Sequence, residues 1–139
     1  MDQINDAKIN GRMGENNPVV LVIDDDEVTC KVLEKLLQKE KFTIVTAGNG
    51  MDGIELARST RPDIVLLDIF MPGEDGFETL GRMKKDSDIK SIPVLIFSII
   101  EDEARRKKAM DLGAAGYIPK PFDMRKMVTK IKGIFEKQG

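Results

Sequence analysis

Asp63-Ile64-Val65-Leu66-Leu67-Asp68-Ile69-Phe70-Met71-Pro72-Gly73 is the stretch on which the fold turns. Four consecutive apolar residues run into an aspartate, and a Pro-Gly break follows. A short apolar run without alternation reads as a strand buried on both faces, as in parallel sheets. Pro72 and Gly73 then turn the chain away. Asp68 is thereby placed at the carboxyl end of a strand, the edge where open α/β sheets bind ligands. A lone aspartate there can equally serve only to close the strand, so the residues that end the other strands decide.

Working outward, the same grammar recurs. Val19-Val20-Leu21-Val22-Ile23 is a second such run, and it ends in Asp24-Asp25-Asp26-Glu27. Residues 42–47 form another strand, broken by Gly48-Asn49-Gly50, and residues 93–98 run from Pro93 to Ser98. Gly116-Tyr117-Ile118 makes a short last strand before Pro119-Lys120-Pro121. Between these runs the period changes to that of a helix. Val28, Val32, Leu33, Leu36 and Leu37 predict a buried stripe, with Lys31, Glu34, Lys35 and Gln38 opposite. Met51, Ile54, Leu56 and Ala57 predict a second helix ending near Ser59. Phe77, Leu80 and Met83 predict a third, weakened by Gly81. Residues 101–112 predict a fourth, acidic at its start, basic in its middle and stopped by Gly113. A fifth runs from about 123 to 135, capped by Asp123 and burying Met124, Met127, Val128, Ile131 and Ile134 or Phe135. Five alternations of strand and helix predict a doubly wound α/β domain, its parallel sheet covered on both faces through right-handed crossovers.

The bulk composition fits one such domain. The chain has 139 residues, 41% hydrophobic and 33% charged, which suits a single soluble core. A net charge of −2 gives no global electrostatic case for nucleic acid or an anionic membrane surface. Ten Lys/Arg against six Asp/Glu in residues 101–139 nevertheless leave the last quarter basic. Cys30 is the one cysteine, so no internal disulfide forms. The start has no basic-then-apolar leader, and no apolar run approaches the roughly 20 residues that span a bilayer. A cytoplasmic protein without membrane contact is expected. Residues 1–18 are polar and read as a flexible arm or linker with a short helical turn near residues 4–9, ahead of a domain over 19–137.

In such a sheet all strand ends share one rim, which would gather Asp24, Asp25, Asp68, Ser98 and Lys120. Each alone has an ordinary explanation, as a helix cap, a strand-end hydroxyl or a solvated lysine. Together they match phosphoryl transfer to a carboxylate. Clustered carboxylates repel unless a hard cation such as Mg²⁺ joins them. One carboxylate can then act as nucleophile, while an ammonium and a hydroxyl meet the oxygens of the transferred group. An EF-hand is excluded, because Asp24-Asp25-Asp26 lacks its alternating spacing and central glycine.

Val-Ile-Asp24-Asp25-Asp26, Leu-Leu-Asp68-Ile-Phe-Met-Pro72-Gly-Glu-Asp-Gly76, Phe-Ser98 and Gly116-Tyr-Ile-Pro-Lys120-Pro121-Phe122 resemble the receiver domain of two-component response regulators, in order and spacing, over about residues 19–137. The resemblance implies a flavodoxin-like fold with strand order 2-1-3-4-5. It implies that Asp68 accepts the phosphoryl group and that Asp24, Asp25, Asp68 and the Phe70 carbonyl hold Mg²⁺, or Mn²⁺ in its place. Ser98 and Lys120 would meet the phosphoryl oxygens, Ser98 and Tyr117 would move as the switch, and Lys120-Pro121 would be cis. No organic cofactor is implied. The implied partners are a sensor histidine kinase or histidine phosphotransferase, and a downstream protein or second copy at the surface of helix 4, strand 5 and helix 5. Arg105, Arg106, Lys107, Lys108, Arg125, Lys126, Lys130 and Lys132 make that surface basic. No helix-turn-helix pattern follows, so direct nucleic-acid binding is not expected, and the chain reads as a stand-alone receiver or one cut from a longer protein.

Two departures bear on signal lifetime. The residue after Ser98, commonly small in the family, is here Ile99, followed by Ile100, and Phe70 is apolar. Bulky apolar groups at the site are expected to hinder an attacking water and prolong the phosphorylated state. Phe70 also weighs against the other enzyme class that forms an aspartyl phosphate. A metal-dependent phosphohydrolase usually carries a second acid two residues after its nucleophile, and this chain has no histidine to replace it.

Overall fold

The computed structural model of the chain describes residues 17–99 and 102–138. Five strands, β1 (Val19–Ile23), β2 (Thr43–Ala47), β3 (Ile64–Leu67), β4 (Val94–Ser98) and β5 (Gly116–Pro119), alternate with five helices. The helices are α1 (Glu27–Lys39), α2 (Gly50–Thr60), α3 (Gly76–Lys85), α4 (Glu103–Asp111) and α5 (Met124–Gln138). The sheet is parallel throughout, in the order β2-β1-β3-β4-β5. This is the flavodoxin-like arrangement expected. Residues 1–16 of the expected arm, with its helical turn near residues 4–9, and Ile100 and Glu101 lie outside the described residues, while Pro18 O at the arm's end accepts the Thr43 N–H at 2.8 Å.

The decisive stretch behaves as read. All four residues of β3 are buried, as a strand flanked on both sides and covered on both faces must be. Its residues alternate between two cores. Leu21, Ile23, Val65, Leu67 and Ile96 pack with Ile54 and Ala57 of α2, Leu80 and Met83 of α3 and Ala109 of α4. Val20, Val22, Ile64, Leu66, Leu95 and Phe97 pack on the other face with Leu33 and Leu37 of α1 and Met127, Val128 and Ile131 of α5. The edge strand β2 is half exposed. Among the described residues no helix is long and apolar enough to cross a membrane.

Side-chain oxygens of Asp26, Asn49, Asp75, Asp102 and Asp123 accept first-turn backbone N–H groups, one at the start of each helix. Asp102 as cap explains why α4 starts at Glu103 instead of 101, and the helix ends at Asp111 with Leu112 as its C-cap. The α1 stripe also differs from the sequence reading. Cys30, Leu33 and Leu37 face the sheet, whereas Val28 is 69% exposed and Val32 is exposed too. The cap at Asp26 fixes the rotation of the first turn and leaves Val28 at the rim. Met51, at the start of α2, is likewise exposed, and α5 continues past the expected residue 135.

Two glycines of α3 carry opposite constraints. A Cβ on Gly76 would collide with the backbone of Ile69, so the helix start is pressed against the end of the β3 segment. A Cβ on Gly81 meets nothing. Gly76→Ala is expected to lower the unfolding free energy by about 1–3 kcal/mol, and Gly81→Ala to raise it by about 0.5–1 kcal/mol. Urea denaturation checks both; a neutral Gly76→Ala would contradict the close approach.

Candidate functional site

The register of the sheet builds the site. Ile23 pairs with Leu67, so Asp24 and Asp68, each one residue further on, leave neighbouring strands at the same height. Leu67 pairs with Ile96, and Ser98 pairs with Pro119, which brings Ser98 and Lys120 to the same rim. Backbone bonds extend the strands to these residues: Asp24 N–H donates to Ala47 O at 3.0 Å, Asp68 N–H to Ile23 O at 3.0 Å and Lys120 N–H to Ser98 O at 2.9 Å. The Lys120-Pro121 bond is cis, as expected. Asp24, Asp25, Asp68, Ser98 and Lys120 therefore stand at one edge, whereas Tyr117 lies inside β5, paired with Ile96.

Lys120 Nζ lies between the two inner carboxylates, 2.7 Å from Asp24 Oδ2 and 3.1 Å from Asp68 Oδ2. It also stands over the Phe97 ring at 4.7 Å from the centroid, so the ammonium rests on an aromatic face as well as between two anions. Asp24 is 2% and Asp68 4% exposed, while Asp25 is open to solvent. The remaining oxygens of the inner pair are oriented by backbone: Asp26 N–H donates to Asp24 Oδ1 and Phe70 N–H to Asp68 Oδ1, each at 2.9 Å.

Asp24, Asp25 and Asp68 each offer an oxygen within 4.8 Å of the others. Three hard oxygen donors clustered at a half-open rim suit a divalent cation that keeps part of its water shell. Burial raises the Asp68 carboxyl above its ordinary value, against the pull of the Phe70 N–H and the Lys120 ammonium. Burial also works against the Lys120 charge, but the bond to Asp24 and the charges of Asp68 and Asp24 outweigh it and hold the ammonium above its ordinary value. Beneath them, burial and then the Asp24 carboxylate push the Cys30 thiol up to about 11, so it stays protonated at neutral pH.

Ser98 is fully buried, and Tyr117 is buried under the Arg106 guanidinium, 5.3 Å from its ring centroid. The ring thus already stands inward. Phe70 and Ile99, which follow Asp68 and Ser98 closely in the chain, are 54% and 60% exposed, so neither is buried in a core. Two contributors went unassigned in the sequence reading. Phe97 looks there like one more core residue of an apolar strand. Glu74 accepts a hydrogen bond from Gly50 N–H across 24 positions, a contact no local pattern announces.

A family model described as response regulator receiver domain matches residues 20–132. The protein PilH of Pseudomonas aeruginosa is 34% identical over 115 residues, 83% of this chain and 95% of PilH. A probable transcriptional regulator, ycf27 of Guillardia theta, is 32% identical over 123 residues, 88% of this chain but 47% of that protein, so the chain spans about half its length. The crystal structure of a two-component response regulator from Clostridium difficile superposes with a TM-score of 0.83 at 22% identity, covering 88% of this chain and 99% of that one. This last likeness bears on the fold.

The raised Asp68 carboxyl sets a pH dependence. The folded chain keeps that proton to higher pH than the unfolded chain does, so this group's contribution to stability is full below about 4 and falls as pH rises through the raised value. Asp68→Asn cannot ionise. In chelator, the stability of the variant minus that of the wild type is expected to grow as pH rises above about 4. Denaturant midpoints check this, and a constant difference would contradict it.

Proposed function

The chain belongs to the response regulator receiver family, and from that membership we propose a Mg²⁺-dependent phosphoacceptor switch with Asp68 as the accepting group. The observation that carries the reading is the buried Asp24–Lys120–Asp68 bridge beside the open Asp25. A catalytic nucleophile, a counter-charge and a metal-type donor set occur together there.

Asp24, Asp25, Asp68 and the Phe70 carbonyl would hold the ion, with Mn²⁺ as a substitute. When bound, the ion supplies positive charge that lets a carboxylate approach an anionic phosphoryl group. An Asp68 oxygen attacks phosphorus as the P–N bond of a phosphohistidine breaks, and the bond's electron pair returns to the imidazole nitrogen. Lys120, already within reach of Asp68, turns from Asp24 to a phosphoryl oxygen, and the Ser98 hydroxyl donates to another. The donor is a sensor histidine kinase or histidine phosphotransferase, which places the protein in the cytoplasm.

Output follows from how loosely α4 is held. Of its described residues only Ala109 is buried, so the helix has little packing to lose when it shifts. Phosphorylation adds charge at Asp68 and draws Ser98 toward it. Tyr117 and Arg106 are the contact through which β5 and α4 exchange one packing for another. The basic face of α4, β5 and α5 then presents itself to a downstream protein or a second copy, with no direct contact to nucleic acid or membrane. The exposed side chains of Phe70 and Ile99 offer no polar group to orient a water, which favours a long-lived phosphoryl group. Phe70 also occupies the position where a phosphohydrolase would carry its acid, against turnover of outside substrates.

Incubation with Mg²⁺ and a small phosphoramidate donor is expected to give an adduct that maps to Asp68 and is lost in Asp68→Asn or in chelator. Phe70→Asn is expected to speed its decay about threefold or more. An adduct at another residue, or one formed without a divalent cation, would contradict the assignment, and an unchanged decay would remove the role of Phe70.

A further inference from the structure

We propose that Glu74 is a positioning residue, anchoring the loop that carries the Phe70 carbonyl to the N-terminus of α2. The inference rests on the metal site proposed above.

The loop between β3 and α3 is fixed at its start. Asp68 N–H is bonded to Ile23 O, and Phe70 N–H to Asp68 Oδ1. Ile69 and Met71 are buried on either side of Phe70. The chain then makes a turn closed by Glu74 N–H donating to Met71 O at 3.1 Å, with Pro72 ahead of Gly73 at φ 79°. Pro at the second position and a left-handed Gly at the third are what a type II turn requires. Such a turn fixes the loop's shape but not its position.

Glu74 supplies the position. Its Oε1 accepts the backbone N–H of Gly50 at 2.8 Å. Gly50 is the first residue of α2, and the Asn49 cap is engaged with Asp52 N–H, so the Gly50 N–H is a first-turn donor that needs a partner from elsewhere. A side-chain oxygen of the right reach, carboxylate or amide, meets that need. The approach is tight: a Cβ on Gly50 would stand 3.0 Å from Glu74 Oε1 and would collide with Thr79 Oγ1. Phe70 is therefore held on one side by Asp68 and on the other by a turn pinned to a different βα unit. Without the pin, the turn and the Phe70 carbonyl before it can swing together.

A bare charge effect is the competing explanation, and three substitutions separate the two. Glu74→Ala removes reach and charge, Glu74→Asp keeps the charge but is too short, and Glu74→Gln keeps an acceptor without the charge. Amide hydrogen exchange on the metal-free full chain and calorimetric Mg²⁺ titration are the readouts. Ala and Asp are each expected to speed exchange at Gly50 and Glu74 and to weaken Mg²⁺ binding about fivefold to tenfold, while Gln stays within about twofold. Glu78→Ala, an exposed charge of the same sign on α3, is expected to change neither. Equal loss in Ala and Gln with Asp unchanged would assign the effect to charge and overturn the proposal, as would wild-type values in Ala and Asp. Should Ala fail to fold, the Asp and Gln pair decides alone. Wild-type protein that takes up no Mg²⁺ would instead overturn the parent reading, with the exchange data still reporting on the anchor.

Discussion

Everything at this rim depends on one ammonium held between two buried carboxylates. Asp24 and Asp68 come off adjacent strands at the same height, nearly sealed from solvent, so they face each other without water to screen them. Effective desolvation costs several kcal/mol per buried ion, and removing one partner of such a cluster costs about 3–5 kcal/mol. Lys120, with Phe97 beneath it, makes the pair tolerable. Desolvation and the carboxylates pull oppositely on each group, and both the Asp68 carboxyl and the Lys120 ammonium end above their ordinary values.

The sheet exists, in functional terms, to hold this conflict still. Three strands must end in register for the bridge to form, and the fully buried β3 fixes that register because a slip would carry its apolar residues off their cores. Helices α2, α3 and α4 cover one face and α1 and α5 the other, but they are not equally committed. Met127, Val128 and Ile131 of α5 sink into the core, whereas α4 rests on Ala109 and on ring contacts of its cations, Arg106 over Tyr117 and Lys108 over Phe77. Buried rim groups beside one loosely held helix is the division of labour that the proposed switch requires.

What the sequence made legible follows from the range of the interactions. The strands and the five rim residues could be read because four of the five strand ends are punctuated locally, by Asp24-Asp25, Asp68, Ser98 or Lys120. Boundaries slipped where a cap overrode periodicity: Asp102 moved the start of α4, and Asp26 turned Val28 out to the rim. The Glu74–Gly50 bond and the seat of Lys120 on Phe97 were not legible, since each joins residues from separate βα units and neither partner is unusual where it stands. The Tyr117 ring, expected to move as part of the switch, is already buried here beneath Arg106, which no pattern in the chain foretold.

In the proposed switch, Lys120 and a divalent cation compete for the same two carboxylates, Asp24 and Asp68. Titrating Mg²⁺ into Lys120→Met and wild type side by side tests it most directly. Methionine keeps an unbranched side chain only one atom shorter beside Phe97 and removes the rival charge, leaving Asp24 and Asp68 without compensation. Tighter Mg²⁺ binding by the variant, by about tenfold or more, is the result expected. Equal or weaker binding would mean that Lys120 does not contend for the site and would contradict the account.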